Sequence, residues 1–266
     1  MLGKRVLTAA ALIALVLALL FWAPPWLFFL AVLPVGWLTL WEYLELVART
    51  GSVPRRWPVY LAALGLWLVA AWTPGHLLAA VVFATLGAFL SAVWREQTAE
   101  ILSAATAGVF GLLYVAVPLA LLLDVFAVAR GRWVLFYLLL LVWVGDTAAY
   151  FVGRGVGRHP LAPVLSPGKT VEGTVASLVA TVAVGFWLFR RWFGFDPAHG
   201  FLLPVIVNVA AQLGDLAESA LKRSAGVKDT SGLLPGHGGL LDRIDSLLFA
   251  LPALWYYWSL LTRGGS

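Results

Sequence analysis

Cysteine is absent from this 266-residue chain, which excludes disulfides and any thiolate-bound metal. Charge is scarce: Asp, Glu, Lys and Arg make up 12% of the residues, against about a quarter in an ordinary soluble domain. Low-complexity linkers and long polar stretches are lacking too, so no segment reads as a soluble domain. What fills the chain is apolar: 62% of residues are hydrophobic and the mean hydropathy is +0.92. A helix needs roughly 20 apolar residues to cross a bilayer core. Nine candidate runs stand out, at about 6–23, 26–47, 58–73, 76–94, 101–123, 133–152, 173–189, 201–221 and 246–262. The third is short and the second contains Glu42 and Glu45. Backbone groups in lipid must be satisfied internally, and continuous apolar runs suit helices, not the alternating strands of a barrel. The expectation is an all-α polytopic integral membrane protein with about nine transmembrane helices.

Residues 1–23 read as the first span and not as a removed signal peptide, because the run is long, lacks a small-residue cleavage site and leads into another span. The net charge of +5 reflects topology and not a nucleic-acid partner. Cytoplasmic segments of membrane proteins are enriched in Lys and Arg. With the N-terminus inside, 13 of the 18 basic residues fall on inner segments: Lys4, Arg5, Arg49, Arg55, Arg56, Arg95, Arg154, Arg158, Lys169, Lys222, Arg223, Lys228 and Arg243. Nine spans then place the C-terminus outside. Residues 1–140 are helices joined by short Pro- and Gly-containing turns, an N-terminal transmembrane half. Residues 141–266 form a C-terminal transmembrane half in which the polar residues gather. Its two inner loops, about 153–172 and 222–245, hold or border seven of the 13 acids: Asp146, Glu172, Asp215, Glu218, Asp229, Asp242 and Asp245.

Two familiar nucleotide motifs fail on inspection. Gly153-Arg154-Gly155-Val156-Gly157-Arg158 lacks the last glycine of a dinucleotide fingerprint and follows an apolar helix, not a strand. Gly168-Lys169-Thr170 imitates the end of a P-loop, but Pro163 occupies the place of its first glycine. What remains there is Ser166, Lys169, Thr170 and Glu172 at the start of a helix. Helix N-termini and lysines favour phosphate; equally, Thr170 or Ser166 suits an ordinary cap. Asp146 is a carboxylate inside an apolar run, which costs roughly 2.5–3.5 kcal/mol on insertion scales and marks either function or helix packing.

The densest constellation runs from Gln212 to Ser246. On a helix, Asp215, Glu218, Ser219 and Lys222 fall at i, i+3, i+4 and i+7, one face. A second helix beginning near Leu240 puts Asp242, Asp245 and Ser246 on one face as well. Carboxylate oxygens suit Mg²⁺, which is typically held by one or two carboxylates and substrate phosphates. The turn Gly236-His237-Gly238-Gly239 offers backbone N–H groups for an anion. His237 is suited to touch a phosphate or a leaving group, and Lys222, Arg223, Lys228 and Arg243 surround the same stretch with positive charge.

This stretch resembles the signature of the phosphatidate cytidylyltransferases, also called CDP-diacylglycerol synthases. The likeness runs through Ser219-Ala220-Leu221-Lys222-Arg223, Lys228-Asp229, His237-Gly238-Gly239 and Asp242-Arg243-Ile244-Asp245. Ser166-Pro167-Gly168-Lys169-Thr170-Val171-Glu172-Gly173 and Gly145-Asp146 look like further stretches of that family. The resemblance implies a membrane enzyme that condenses CTP with phosphatidic acid, needs Mg²⁺, with a second metal ion of open identity, and works as a homodimer. It implies Asp215 and Asp242 as metal ligands, with Asp245 beside them. Lys222, Arg223, Lys228 and Arg243 are then expected on the phosphates. Ser166, Lys169, Thr170, Glu172, Ser219, Asp229 and the Gly236–Gly239 turn, His237 included, are expected to contact substrate. The expected setting is a bacterial inner membrane with the site facing the cytoplasm. Two rivals are a CTP-dependent kinase of a polyprenol or similar lipid, and a cation-coupled transporter using Asp146 and Asp215.

Overall fold

A computed structural model describes residues 2–94, 98–233 and 238–263, with the side chains of 2–10 and of 263 left aside. The chain runs as α1 (Leu2–Trp22), α2 (Pro25–Arg49), α3 (Arg56–Trp72), α4 (Leu77–Val93), α5 (Ile101–Gly111), α6 (Val117–Ala127), α7 (Gly131–Val156), β1 (Pro160–Ala162), β2 (Ser166–Thr170), α8 (Val171–Trp192), α9 (Pro197–Ser224) and α10 (Leu241–Arg263). Among the described residues, seven helical stretches are long and apolar enough to cross a membrane. The nine runs read from the sequence are all helical, but α3 has only 17 residues and α1 qualifies as a shorter apolar helix over Ala11–Trp22. Large side chains such as Leu61, Leu78, Phe83 and Trp187 are exposed along the helices, a surface suited to lipid. Trp22, Trp26, Trp57, Trp72 and Trp94 are exposed at or beside helix ends, where indole rings favour the membrane–water boundary.

Residues 153–172, expected as an inner loop, are ordered differently. Helix α7 runs on to Val156, and an antiparallel hairpin follows, pairing Pro160 with Thr170 and Ala162 with Ser166. Thr170 then caps α8, its Oγ1 accepting from Gly173 N–H at 3.1 Å.

The chain forms two compact units, Met1–Phe136 with Ala225–Arg243, and Tyr137–Ser224 with Ile244–Ser266. In the first, Tyr43, Trp67, Leu40, Leu44, Leu66 and Leu112 are almost wholly buried. Pro118 has no N–H, so the regular ladder cannot run through it; a π-helical turn over Leu112–Ala116 joins α5 to α6. The Trp67 indole donates to the Ala116 carbonyl of that turn at 2.9 Å, and the Tyr43 hydroxyl donates to Ala107 O at 2.9 Å. Arg132 donates to the carbonyls of Phe21 and Ala23 at 2.6 and 2.9 Å, satisfying the open end of α1.

The second unit is held by a buried polar ladder. Asn208 Nδ2 on α9 donates to Ser177 Oγ at 2.8 Å and Thr181 Oγ1 at 3.0 Å on α8. Thr181 donates onward to Leu141 O of α7 at 3.3 Å, and Gln212 donates to Asn208 Oδ1 at 2.5 Å. Interhelical hydrogen bonds of this kind stabilise membrane bundles by about 1–2 kcal/mol each in model peptides and less in whole proteins. Gly145 lets α7 approach this ladder: a Cβ there would lie 2.8 Å from the hydroxyls of Ser177 and Thr181 and 2.9 Å from Asn208 Nδ2. Gly145→Ala is therefore expected to destabilise by about 1–3 kcal/mol through overpacking. Thermal unfolding in detergent checks this against Gly65→Ala, where a Cβ meets nothing within 4 Å; equal midpoints would contradict it.

Candidate active site

The ladder fixes the face of α9 that carries the site. Asn208, Gln212 and Asp215 fall at i, i+4 and i+7, so the aligned polar face ends on a carboxylate. Asp215 and Glu218 of α9 meet Asp245 of α10, each offering an oxygen within 4.8 Å of the others. Gly214 permits the approach of α10, since a Cβ there would lie 2.6 Å from the Asp245 carbonyl. Glu218 is buried, and Asp215 and Asp245 are partly so. Asp146 of α7 stands near enough to Asp215 and Lys169 for their charges to act on it.

Two lysines answer this negative charge. Lys169 Nζ, carried in on β2, lies 2.6 Å from Asp215 Oδ2, and Lys222 Nζ lies 2.5 Å from Glu218 Oε2 one helical turn away. The hairpin is tied down on both sides. Arg223 Nε donates to Leu165 O at 3.2 Å, and Glu172 pairs with His159 at 2.6 Å while accepting its backbone N–H at 3.3 Å. The geometry thus brings Lys169, Asp215, Glu218, Lys222 and Asp245 together. Glu172, expected to contact substrate, closes the hairpin base onto His159. Ser166 opens β2 half-buried, Thr170 is used as the cap, and Ser219 is buried on α9.

The other signature residues belong to the first unit. Asp242 lies in the first turn of α10, where its Oδ2 accepts from Thr230 N–H at 3.0 Å, Thr230 Oγ1 at 2.8 Å and Gly239 N–H at 2.7 Å. The reach back to Gly239, three residues earlier, is half of a capping box. The Gly239 N–H expected to receive a phosphate is therefore committed to Asp242. Gly238 has φ +77°, a left-handed turn that admits glycine most readily. Lys228, Asp229 and Arg243 are exposed. Gly236 and His237 lie outside the described residues.

Sequence reasoning assigned no role to one acid of this loop's surroundings. Glu42 of α2 is fully buried and accepts from Ser231 Oγ at 2.5 Å, Leu240 N–H at 2.9 Å and Leu241 N–H at 2.6 Å. Its only sequence signal was its position, a carboxylate in an apolar run.

Comparison with known proteins now bears on this geometry. The sequence model of the cytidylyltransferase family matches residues 3–261. The chain belongs to the cytidylyltransferase family. A phosphatidate cytidylyltransferase of Haemophilus influenzae is 34% identical across 97% of this chain and 99% of its own length. Phosphatidate cytidylyltransferases of Staphylococcus haemolyticus and Staphylococcus aureus are 46% and 44% identical over 47% of this chain, covering 48% and 49% of theirs. For a cytidylyltransferase the chemistry of the cluster is apt. An Mg²⁺ ion with oxygens at about 2.0–2.1 Å sets opposite ligands about 4.2 Å apart, close to the spread of the three carboxylates. These are hard oxygen donors of the type that ion takes, so Asp215, Glu218 and Asp245 fit it.

Proposed function

We propose that this protein transfers the cytidylyl group of CTP to phosphatidic acid, releasing pyrophosphate and forming CDP-diacylglycerol for phospholipid biosynthesis. The observation that carries the reading is the meeting of Asp215, Glu218 and Asp245 with Lys169 and Lys222 in a chain of this family. A phosphate oxygen of the lipid attacks the α-phosphorus of CTP, and the bond from that phosphorus to the β-phosphate bridging oxygen breaks. The electron pair leaves with pyrophosphate. The attacking oxygen is already ionised at neutral pH, so no strong general base is required. Mg²⁺ held by Asp215 and Asp245, with Glu218 beside them, would neutralise charge on the phosphate oxygens and the departing pyrophosphate. Asp242, one helical turn before Asp245 on α10, is proposed as a further ligand, as the resemblance implies.

Lys169 and Lys222 rest on carboxylates and stand ready to exchange them for phosphate oxygens. Fixed cations of this kind stabilise a phosphoryl-transfer transition state without reorganising during the reaction. Arg223, exposed at the end of α9, and Lys228 and Arg243, exposed on the loop and α10, suit the outer phosphates and lipid head groups. The proposed setting is the inner face of a bacterial cell membrane, N-terminus inside and C-terminus outside, with the chain acting as a homodimer.

Product analysis separates this reading from its rivals. Purified protein given CTP, phosphatidic acid and Mg²⁺ is expected to release one pyrophosphate per lipid consumed. Release of CDP instead would indicate a lipid kinase, and unchanged CTP beside ion flux in vesicles would indicate a transporter.

A further inference from the structure

The N-terminal half contains a buried acid, Glu42, whose hydrogen-bond partners among the described residues lie in the loop before α10 and at its first residue. A span needs no carboxylate at position 42, where its neighbours Leu40, Tyr43 and Leu44 are apolar or aromatic and equally buried. Yet Glu42 accepts from Leu240 N–H, Leu241 N–H and Ser231 Oγ at 2.9, 2.6 and 2.5 Å.

We infer that Glu42 is a positioning residue for cytidylyl transfer, capping the start of α10 from another helix and thereby holding Asp242 in register. The inference rests on the reaction proposed above. The first N–H groups of a helix have no partner within it and carry the positive end of its dipole. α10 satisfies two of them, at Leu240 and Leu241, with the Glu42 carboxylate, and charge-assisted hydrogen bonds of this kind are the strong ones. Thr230 Oγ1 stands between the two acids, 2.8 Å from Asp242 Oδ2 and 3.3 Å from Glu42 Oε2. Its single proton goes to the nearer carboxylate, so Thr230 fixes Asp242 while Glu42 holds the preceding chain through the Ser231 hydroxyl and the backbone N–H groups of Leu240 and Leu241. Gly239 completes the fit: its Cα faces Glu42 and Thr230 so closely that a Cβ would stand 2.6 Å from Glu42 Oε1. Released from Glu42, the loop loses the contacts that set the orientation of Asp242.

The test compares full-length wild type, Glu42→Gln and Ser231→Ala in detergent by hydrogen–deuterium exchange and steady-state kinetics. Glutamine keeps the shape of the side chain but turns an amide NH₂ toward one of the two backbone donors. In Glu42→Gln, amides of 228–233 and 238–242 are expected to exchange about tenfold faster while α8 and α9 are unchanged, since local opening reports local contacts. The kcat is expected to fall about 100-fold, the upper end for a residue that orients a ligand, with KM for CTP within about threefold. Ser231→Ala removes one donor only and guards against a misfolded first variant; a threefold to tenfold fall in kcat, roughly the lower end of the same range, is expected. Exchange and kcat within twofold of wild type in Glu42→Gln would overturn the inference. So would faster exchange spread through α8 and α9 in both variants, which would make Glu42 a residue of general stability. Wild type lacking transfer activity would bring down the proposed reaction and this role with it, even where loop exchange still rose in the variant.

Discussion

Replacing Asp215 by asparagine is expected to lower cytidylyl transfer about 10³-fold while leaving the fold intact. Asp215 sits at the centre of the site: its carboxylate shares the cluster with Glu218 and Asp245 and its Oδ2 holds Lys169 at 2.6 Å. Asparagine keeps the volume and removes the charge. An Mg²⁺ ion bound there would lose one anionic ligand, and Lys169 would lose the carboxylate it rests on. Electrostatic stabilisation of several kcal/mol is at stake at such a centre, and at about 1.4 kcal/mol per decade of rate a loss of about 4 kcal/mol gives the stated factor. Stability should hold, because the Lys169–Asp215 pair is partly exposed and such pairs contribute little. Initial rates at saturating CTP and Mg²⁺, with thermal midpoints beside them, check the expectation. A rate within tenfold of wild type would contradict the placement of the site.

Gly239→Ala is expected to be nearly as damaging, for a steric reason. A Cβ at 239 would lie 1.9 Å from Thr230 Oγ1 and 2.6 Å from Glu42 Oε1. Neither neighbour can yield easily, since Thr230 is tied to Asp242 and the buried Glu42 is held by the N–H groups of Leu240 and Leu241. The loop must lift, and Gly239 N–H leaves Asp242 Oδ2. A loss of activity of about 100-fold or more follows, by analogy with removal of ligand-orienting contacts. Gly232→Ala, nine residues before the first residue of α10 and with nothing within 4 Å of its added methyl, is the matched control and should retain activity. Kinetics on the two variants side by side decide the matter; equal rates would show that the close approach at Gly239 has no bearing on catalysis.

The parts of this account that sequence made legible are those with a local pattern. Runs of apolar residues marked the helices, and the i, i+3, i+7 spacing of Asp215, Glu218 and Lys222 put them on one face of α9, where Lys222 does meet Glu218. Thr170 read as a cap and is one. Other features left no such pattern. The hairpin 160–170 is built from short strands containing Pro160, Pro167 and Gly168, too brief and irregular for alternation to show. The pairing of Glu172 with His159 left no signal either, since His159 stands at the other end of that hairpin and only the turn brings them together. Glu42 read as a blemish in the second span because its partners are nearly the whole chain away. Hydrogen bonds across such a separation impose no periodicity on either segment. The Gly239 N–H was expected to meet a phosphate; its bond to Asp242 Oδ2 is a capping contact that the three-residue spacing allowed.

The most direct measurement uses CTP labelled at either the α- or the γ-phosphate, given to the purified protein with phosphatidic acid in mixed micelles and Mg²⁺. The expected result is α-label in the lipid phase, γ-label released as pyrophosphate, and both lost when the ion is chelated. Transfer of γ-label to lipid, or no lipid label from either nucleotide, would contradict cytidylyl transfer at the Asp215–Asp245 site.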